Sequence, residues 1–383
     1  NAQRIESVIW ENSDEDGIYF EVGTSEPYYM LLQTSPTNAK NNNMSYIITD
    51  DNGGVITNFV SVSSDYSANT LAVNLSKSIN EGMSGYIYVL PEDAIYHNLV
   101  KYYYMDGDRE KSGSVAVSEL GLIKDSTTRQ TWFEFLTKEA YFKSITSADN
   151  EKNVSFADVL LKVKVTAADG KSFDYAYRIY DVNGFVKMKA DLYYTIMNSL
   201  DLTNVDRSAE EFRTSFSGGL QGYNSDITIN FSGNNFTQTL TESATIRNIK
   251  FSGNVSEGNG FVVDTNNGTI SNVTVDVNDR YASTLIVKSG ENAGGIAGLN
   301  NSLIENCSVL GLTIDASISG SKVGGIAGQN AGTIREGIVE FYNLINKDST
   351  GEEDKYAPNT FTGVTVGGLV GKILNNSIIE KSY

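Results

Sequence analysis

A mainly β protein ending in a parallel β-helix is the fold class that this 383-residue sequence predicts, and three observations predict it. First, the block Gly294-Gly295-Ile296-Ala297-Gly298 returns as Gly324-Gly325-Ile326-Ala327-Gly328 and again as Gly367-Gly368-Leu369-Val370-Gly371, at steps of 30 and 43 residues. Second, a phrase is interleaved with it: Thr245-Ile246-Arg247-Asn248, Thr269-Ile270-Ser271-Asn272, Leu303-Ile304-Glu305-Asn306, Thr333-Ile334-Arg335-Glu336 and Ile378-Ile379-Glu380-Lys381. Third, the segments between alternate in pairs: Val273, Val275 and Val277 against Thr274 and Asp276, then Ile314, Ala316 and Ile318 against Asp315, Ser317 and Ser319. A repeat of roughly 20 to 50 residues marks an array, and period-2 alternation marks half-buried strands.

One such coil cannot bury its apolar face alone, so successive coils are expected to stack on their neighbours. Glycine permits positive φ and close backbone approach, so the Gly blocks suit corners between sheet faces. Asn267-Gly268, Asn300-Asn301 and Asn375-Asn376 suit the turns before the next strand. The polar stretch 345–358 reads as an insertion that bulges from one corner while the core keeps its register.

The phrases VGGIAGQNAGTI (323–334) and VGGLVGKILNNSII (366–379) resemble GLUG-type repeats, and FSGGLQGYNSDITINFSG within 212–235 resembles the coils that open such helices. The resemblance covers about the last third of the chain. It implies a scaffold fold of the kind found in large bacterial surface and secreted proteins. It is also similar to the non-catalytic N-terminal half of IgA1-protease-type zinc metalloproteases of Gram-positive cocci.

Taken in order, residues 1–96 read as an Ig-like or fibronectin-like β-sandwich. Short strands at 6–10, 18–22, 29–33, 45–49, 55–62, 70–75 and 85–90 are separated by polar turns. Asp50-Asp51-Asn52-Gly53-Gly54 predicts a hairpin between the fourth and fifth. Residues 97–183 predict a small α+β module. In it, Thr127 and Gln130 form a capping box ahead of Trp132, Phe135, Leu136 and Ala140 at helical spacing. The stretch 161–179 predicts a hairpin turning at Asp169-Gly170. Residues 184–204 supply a capping helix and linker: Leu192, Tyr193, Ile196, Met197 and Leu200 share one face of a helix over 187–200. The β-helix then runs over 205–383 and is expected to continue further, because the chain opens without Met and ends inside a repeat.

Composition narrows function by exclusion. Lys and Arg number 29 against 47 Asp and Glu, a net charge of −18 that disfavours nucleic acid as a partner. A single Cys (Cys307) and a single His (His97) exclude an intrachain disulfide and a Cys/His zinc site. Cys307 falls at an apolar repeat position, which predicts a buried, inert thiol. No apolar run approaches membrane-spanning length and no signal peptide opens the chain. His-Glu-x-x-His, the Gly-x-Ser-x-Gly elbow and a phosphate-binding loop are all missing.

Asp14, Asp16, Asp106 and Asp108 are candidate calcium ligands, any calcium being structural, although turn formation explains the same residues without a metal. Asp226, Asp264 and Asp276 lie in or near the coils, but no spacing pairs them as glycosidase carboxylates would be paired. Among 22 tyrosines, Tyr102, Tyr103 and Tyr104 are the densest candidate binding surface; core packing is the alternative use. No catalytic residue and no cofactor is expected.

The leading expectation is a monomeric, non-enzymatic extracellular fragment of a large cell-surface protein of a Gram-positive bacterium. It would act as an adhesin or stalk that meets a host or community protein or glycan. The alternatives are the substrate-recognition region of a secreted zinc metalloprotease and a β-helix polysaccharide-degrading enzyme.

Overall fold

The structure is a computed structural model. It describes residues 7–10, 17–21, 28–35, 44–50, 60–63, 70–75, 83–91, 99–106, 109–116, 155–156, 161–208, 210–276, 283–286, 292–315, 321–340, 343–345 and 365–383. Strands dominate these residues, and the chain divides into two compact units, Asn1–Asp169 and Gly170–Tyr383. The helix expected near Trp132, together with His97, Asp14, Asp16 and Asp108, lies outside the described residues.

The first unit holds eleven described strands: β1 (Ser7–Trp10), β2 (Ile18–Glu21), β3 (Tyr28–Ser35), β4 (Met44–Asp50), β5 (Val60–Ser63), β6 (Thr70–Leu75), β7 (Met83–Pro91), β8 (Leu99–Asp106), β9 (Arg109–Ala116), β10 (Ser155–Phe156) and β11 (Leu161–Ala168). They form two four-stranded sheets, ordered β1-β3-β6-β5 and β2-β11-β7-β4, and a three-stranded sheet β10-β8-β9. Trp10 faces Leu32 across the β1–β3 ladder, and both are buried. Ile18, Ile87, Val163, Val165 and Ala167 supply the apolar side of the other sheet, with Lys164 exposed between two of them as strand alternation requires.

The hairpin expected at Asp50 to Gly54 falls largely outside the described residues; of its flanking stretches, β4 pairs with β7 and β5 with β6 in the other sheet. The hairpin expected over 161–179 does not form: β11 has β2 on one edge and β7 on the other, so no edge remains for residues 173–179. The chain instead turns at Gly170 (φ 70°), whose N–H donates to Tyr175 O, and β12 (Tyr177–Ile179) begins the second unit.

The expected helix over 187–200 is also corrected. The only helix among the described residues is α1 (Val182–Val186), capped by Asp181, whose carboxylate accepts from Gly184 N at 2.8 Å. Residues 193–196 form β13 (Tyr193–Ile196), followed by β14 (Leu200–Asp201). The helical spacing of the apolar residues is real, but Tyr-Tyr-Thr-Ile favours a strand. Parallel neighbours at Tyr177–Ile179 and Gly219–Gly222 take both of its edges. The interior at the β12 end is filled by rings instead. Phe185 of α1 packs edge-on to Phe212 at 5.5 Å, and Phe212 stacks on Phe236 at 5.0 Å.

From β12 onward every described strand pairing is parallel, and the strands fall into sheets of fifteen, six and three. This arrangement is compatible with a parallel β-helix. In the long sheet Tyr194, Leu220, Ile246, Ile270, Ile304, Ile334 and Ile379 stand in register on consecutive strands, the first six buried. Burial of one such isoleucine contributes about 1.5–3 kcal/mol, so this row is a main source of cohesion between coils.

The Gly blocks lie at the corner between the three-stranded and six-stranded sheets, with Gly294, Gly324 and Gly367 in register. Positive φ is not what this corner uses: none of the nine block glycines adopts it. Close approach is the requirement. A Cβ on Gly295 would strike the Gly325 carbonyl oxygen, and one on Gly325 the Gly368 carbonyl oxygen. The left-handed conformation falls instead on the last residue of the interleaved phrase, at Asn248, Asn272, Asn306, Glu336 and Lys381, with φ between 50° and 53°.

Candidate functional site

The phrase Thr-Ile-Arg-Asn sets its residues by alternation. The isoleucine points into the coil, so its neighbours on either side point out. The residues following the isoleucines therefore form an outer row on the long sheet: Gln221, Arg247, Ser271, Glu305, Arg335 and Glu380, in register from strand to strand. Beside it runs the row Gly219, Thr245, Thr269, Leu303 and Thr333.

At one end of the outer row Arg335 is neutralised twice. Its Nη1 lies 3.0 Å from Glu305 Oε1, and its Nε donates to Glu380 Oε1. The hydrogen bond to Glu380, with Glu305 adding to it, holds the guanidinium above its ordinary pKa. At the other end Arg247 donates through Nε to Gln221 Oε1 at 2.9 Å, and Gln221 Nε2 donates in turn to Thr195 Oγ1 at 3.0 Å. The guanidinium carbon sits 3.8 Å from the centroid of the Phe173 ring. That ring meets Tyr193 edge-on at 5.0 Å. Gly219 leaves the room for this arrangement, since a Cβ there would collide with Tyr193 and lie 2.7 Å from Phe173.

A second cluster is buried. Arg207 Nε donates to Glu210 Oε1 at 2.7 Å, its Nη1 and Nη2 donate to the carbonyls of Asn234 and Asn235, and its guanidinium lies 4.7 Å from the Phe231 centroid. Glu210 Oε2 has no partner, and burial raises the Glu210 pKa from its ordinary value. Arg207 is enclosed and serves the packing of the first coils.

Two asparagine ladders tie successive parallel segments together. The inner one is buried: Asn266 donates to Asn300 Oδ1 at 2.8 Å, and Asn300 to Asn330 Oδ1 at 2.7 Å. The outer one follows the left-handed corners, with Asn272 donating to Asn248 Oδ1 at 3.0 Å and Asn306 donating to Asn272 Oδ1.

The carboxylates singled out from sequence are not gathered into one site. Asp226 pairs with Lys250 at 3.1 Å. Asp264 Oδ1 accepts from Asn235 Nδ2 at 2.7 Å and from Asn259 N at 2.6 Å, which fixes a corner. Among the described residues no group of three or more His, Cys, Asp or Glu side chains is placed to hold a metal. Tyr102, Tyr103 and Tyr104 lie on β8, the central strand of its sheet, and Asp106 ends that strand opposite Arg109. Cys307 is buried, and burial pushes its thiol up to about 12. Among the described residues no helix is long and apolar enough to cross a membrane.

Sequence reading missed Arg207, Glu210 and Phe173, whose partners are distant in the chain. Arg247 was open to detection, because it occupies the repeat position of Arg335 with different neighbours. No family model, no curated protein and no solved structure matches the chain.

Proposed function

We propose that this chain is a non-enzymatic, extracellular part of a large bacterial cell-surface protein, in which a GLUG-type parallel β-helix presents a ligand-binding face. The observation that carries this reading is the outer face of the long sheet. Its side chains stand in straight rows, fixed from coil to coil by hydrogen bonds that run through Thr195, Gln221 and Arg247 and through Glu305, Arg335 and Glu380. A rigid face of this kind suits recognition, because little side-chain entropy is lost on binding. The repeat's scaffold character and the acidic, cysteine-poor composition favour a surface location over the cytoplasm.

The immobilised chain, probed with a panel of matrix proteins and a glycan array, is expected to bind at least one class reproducibly and saturably. Binding to none of them removes the adhesin reading. Incubation with the same polysaccharides is expected to yield no new reducing or unsaturated ends, and their appearance would replace the proposal with an enzymatic one.

A further inference from the structure

Two arginines occupy the same position of the repeat and meet opposite fates. Arg335 has Glu305 and Glu380 as its in-register neighbours and is paired with both. Arg247 has Gln221 and Ser271, neither of them charged. Its Nε is satisfied by Gln221, while Nη1 and Nη2 have no acceptor among the described residues. In a chain of net charge −18 local structure keeps this arginine without a carboxylate. The Phe173 ring on one side and Gln221 on the other hold the guanidinium in place, so the geometry does not depend on a bound partner. The hydroxyls of Thr245, Thr269 and Ser271 stand on the same outer face around it.

We propose that Arg247, with Ser271, Thr245 and Thr269, forms a subsite for the carboxylate of an acidic sugar, a uronate or sialate residue within a glycan. This rests on the ligand-binding reading above. A planar guanidinium with two free N–H-bearing nitrogens matches a carboxylate in a forked pair. The surrounding hydroxyls match a polyhydroxylated ring better than a peptide backbone. Net charge decides against a dense polyanion: a heavily sulfated chain would be repelled by the rest of the molecule, whereas one carboxylate in an otherwise neutral oligosaccharide meets only the local positive charge.

The test uses the 383-residue chain, its Arg247→Gln and Lys189→Gln variants, and three probes; Lys189 is an exposed cation paired with Glu211 and has no place in the outer row. These are a uronate- or sialate-containing oligosaccharide, the same oligosaccharide with its carboxyl reduced to an alcohol, and an acidic peptide. Binding of the acidic oligosaccharide is expected to fall about tenfold or more on carboxyl reduction and equally in R247Q, to weaken with salt, and to be unchanged in K189Q. Circular dichroism and thiol protection at Cys307 are expected to match the parent, which separates loss of binding from loss of fold. Equal binding of the reduced sugar, an unaltered R247Q, or preference for the acidic peptide overturns the subsite. If other ligands still bind, the broader reading survives. A chain that binds no probe of any class overturns both.

Discussion

At the scale of single residues, the coil stack is governed by how near one backbone comes to the next. Gly325 and Gly368 hold the same place in successive blocks, yet a Cβ at Gly325 meets the Gly368 carbonyl oxygen and the Val339 side chain, while one at Gly368 meets nothing within 4 Å. G325A is therefore expected to cost about 2 kcal/mol or more, and G368A no more than about 0.5 kcal/mol. Urea titration followed by the reactivity of Cys307 measures both, because its thiol, pushed up to about 12 by burial, reacts only when the stack opens. Equal costs would remove close approach as the reason for glycine.

The left-handed corner supplies a second residue-scale prediction. Glu336 adopts φ 52° where Asn248, Asn272 and Asn306 stand in other coils. E336N gives up an ion pair with Lys381 at 3.4 Å whose partners are 46% and 71% exposed, worth at most about 1 kcal/mol. It gains a residue suited to positive φ and one more rung of the outer ladder. The variant is expected to unfold at higher urea; a lower midpoint would mean that the ion pair matters more than the backbone. For Glu210, burial raises the folded pKa above 4.5. Its stabilising contribution is thus complete below about pH 4.5 and is lost as pH rises through the raised folded value. E210Q cannot ionise, so its urea midpoint relative to the parent is expected to climb with pH across that window. A difference that stays flat with pH would contradict this.

At the scale of elements, the inner ladder shows what one buried amide does for three coils. Asn300 receives from Asn266 and donates to Asn330 Oδ1 and to the carbonyls of Ser302 and Thr333. Asn300→Leu keeps the branched outline and orphans several of these groups at about 1–3 kcal/mol each. A loss of about 3 kcal/mol is expected in urea denaturation, against a small change for Asn301→Ser on the exposed neighbour. The parallel rows of the long sheet were legible because the phrases from Thr245 onward repeat the same inward isoleucine, and repetition is a signal that survives insertions. Pairing in the first unit was not legible to the same degree. Residues 161–168 show their alternation plainly, but nothing in them reveals that β2 and β7 will claim both edges. Residues 187–200 misled for a physical reason: their apolar residues fit a 3.6-residue period, and the β propensity of Tyr193 to Ile196, together with parallel neighbours on both edges, favours the extended form.

At the scale of the whole molecule, the division at Asp169 and Gly170 makes a prediction about autonomy. The second unit encloses its own aromatic end, its aliphatic rows and its asparagine ladders. A chain of residues 170–383 is expected to fold alone, with a cooperative urea transition and a protected Cys307 thiol. Immediate reaction of that thiol under native conditions would show that the first unit is needed for folding. The candidate site was only half visible at this scale. Arg247 stands out once the phrases are aligned, but the ring of Phe173 that holds it comes from outside any repeat.

The register of the long sheet has one more consequence. Ile246, Ile270, Ile304, Ile334 and Ile379 are separated by 24, 34, 30 and 45 residues, and each still advances the ladder by a single strand. Axial reach thus counts rungs at about 4.8 Å apiece and is indifferent to how much chain each rung consumes. New sequence inserted at a corner would add decoration without adding height, and a protein built this way can vary what it displays while keeping its dimensions fixed.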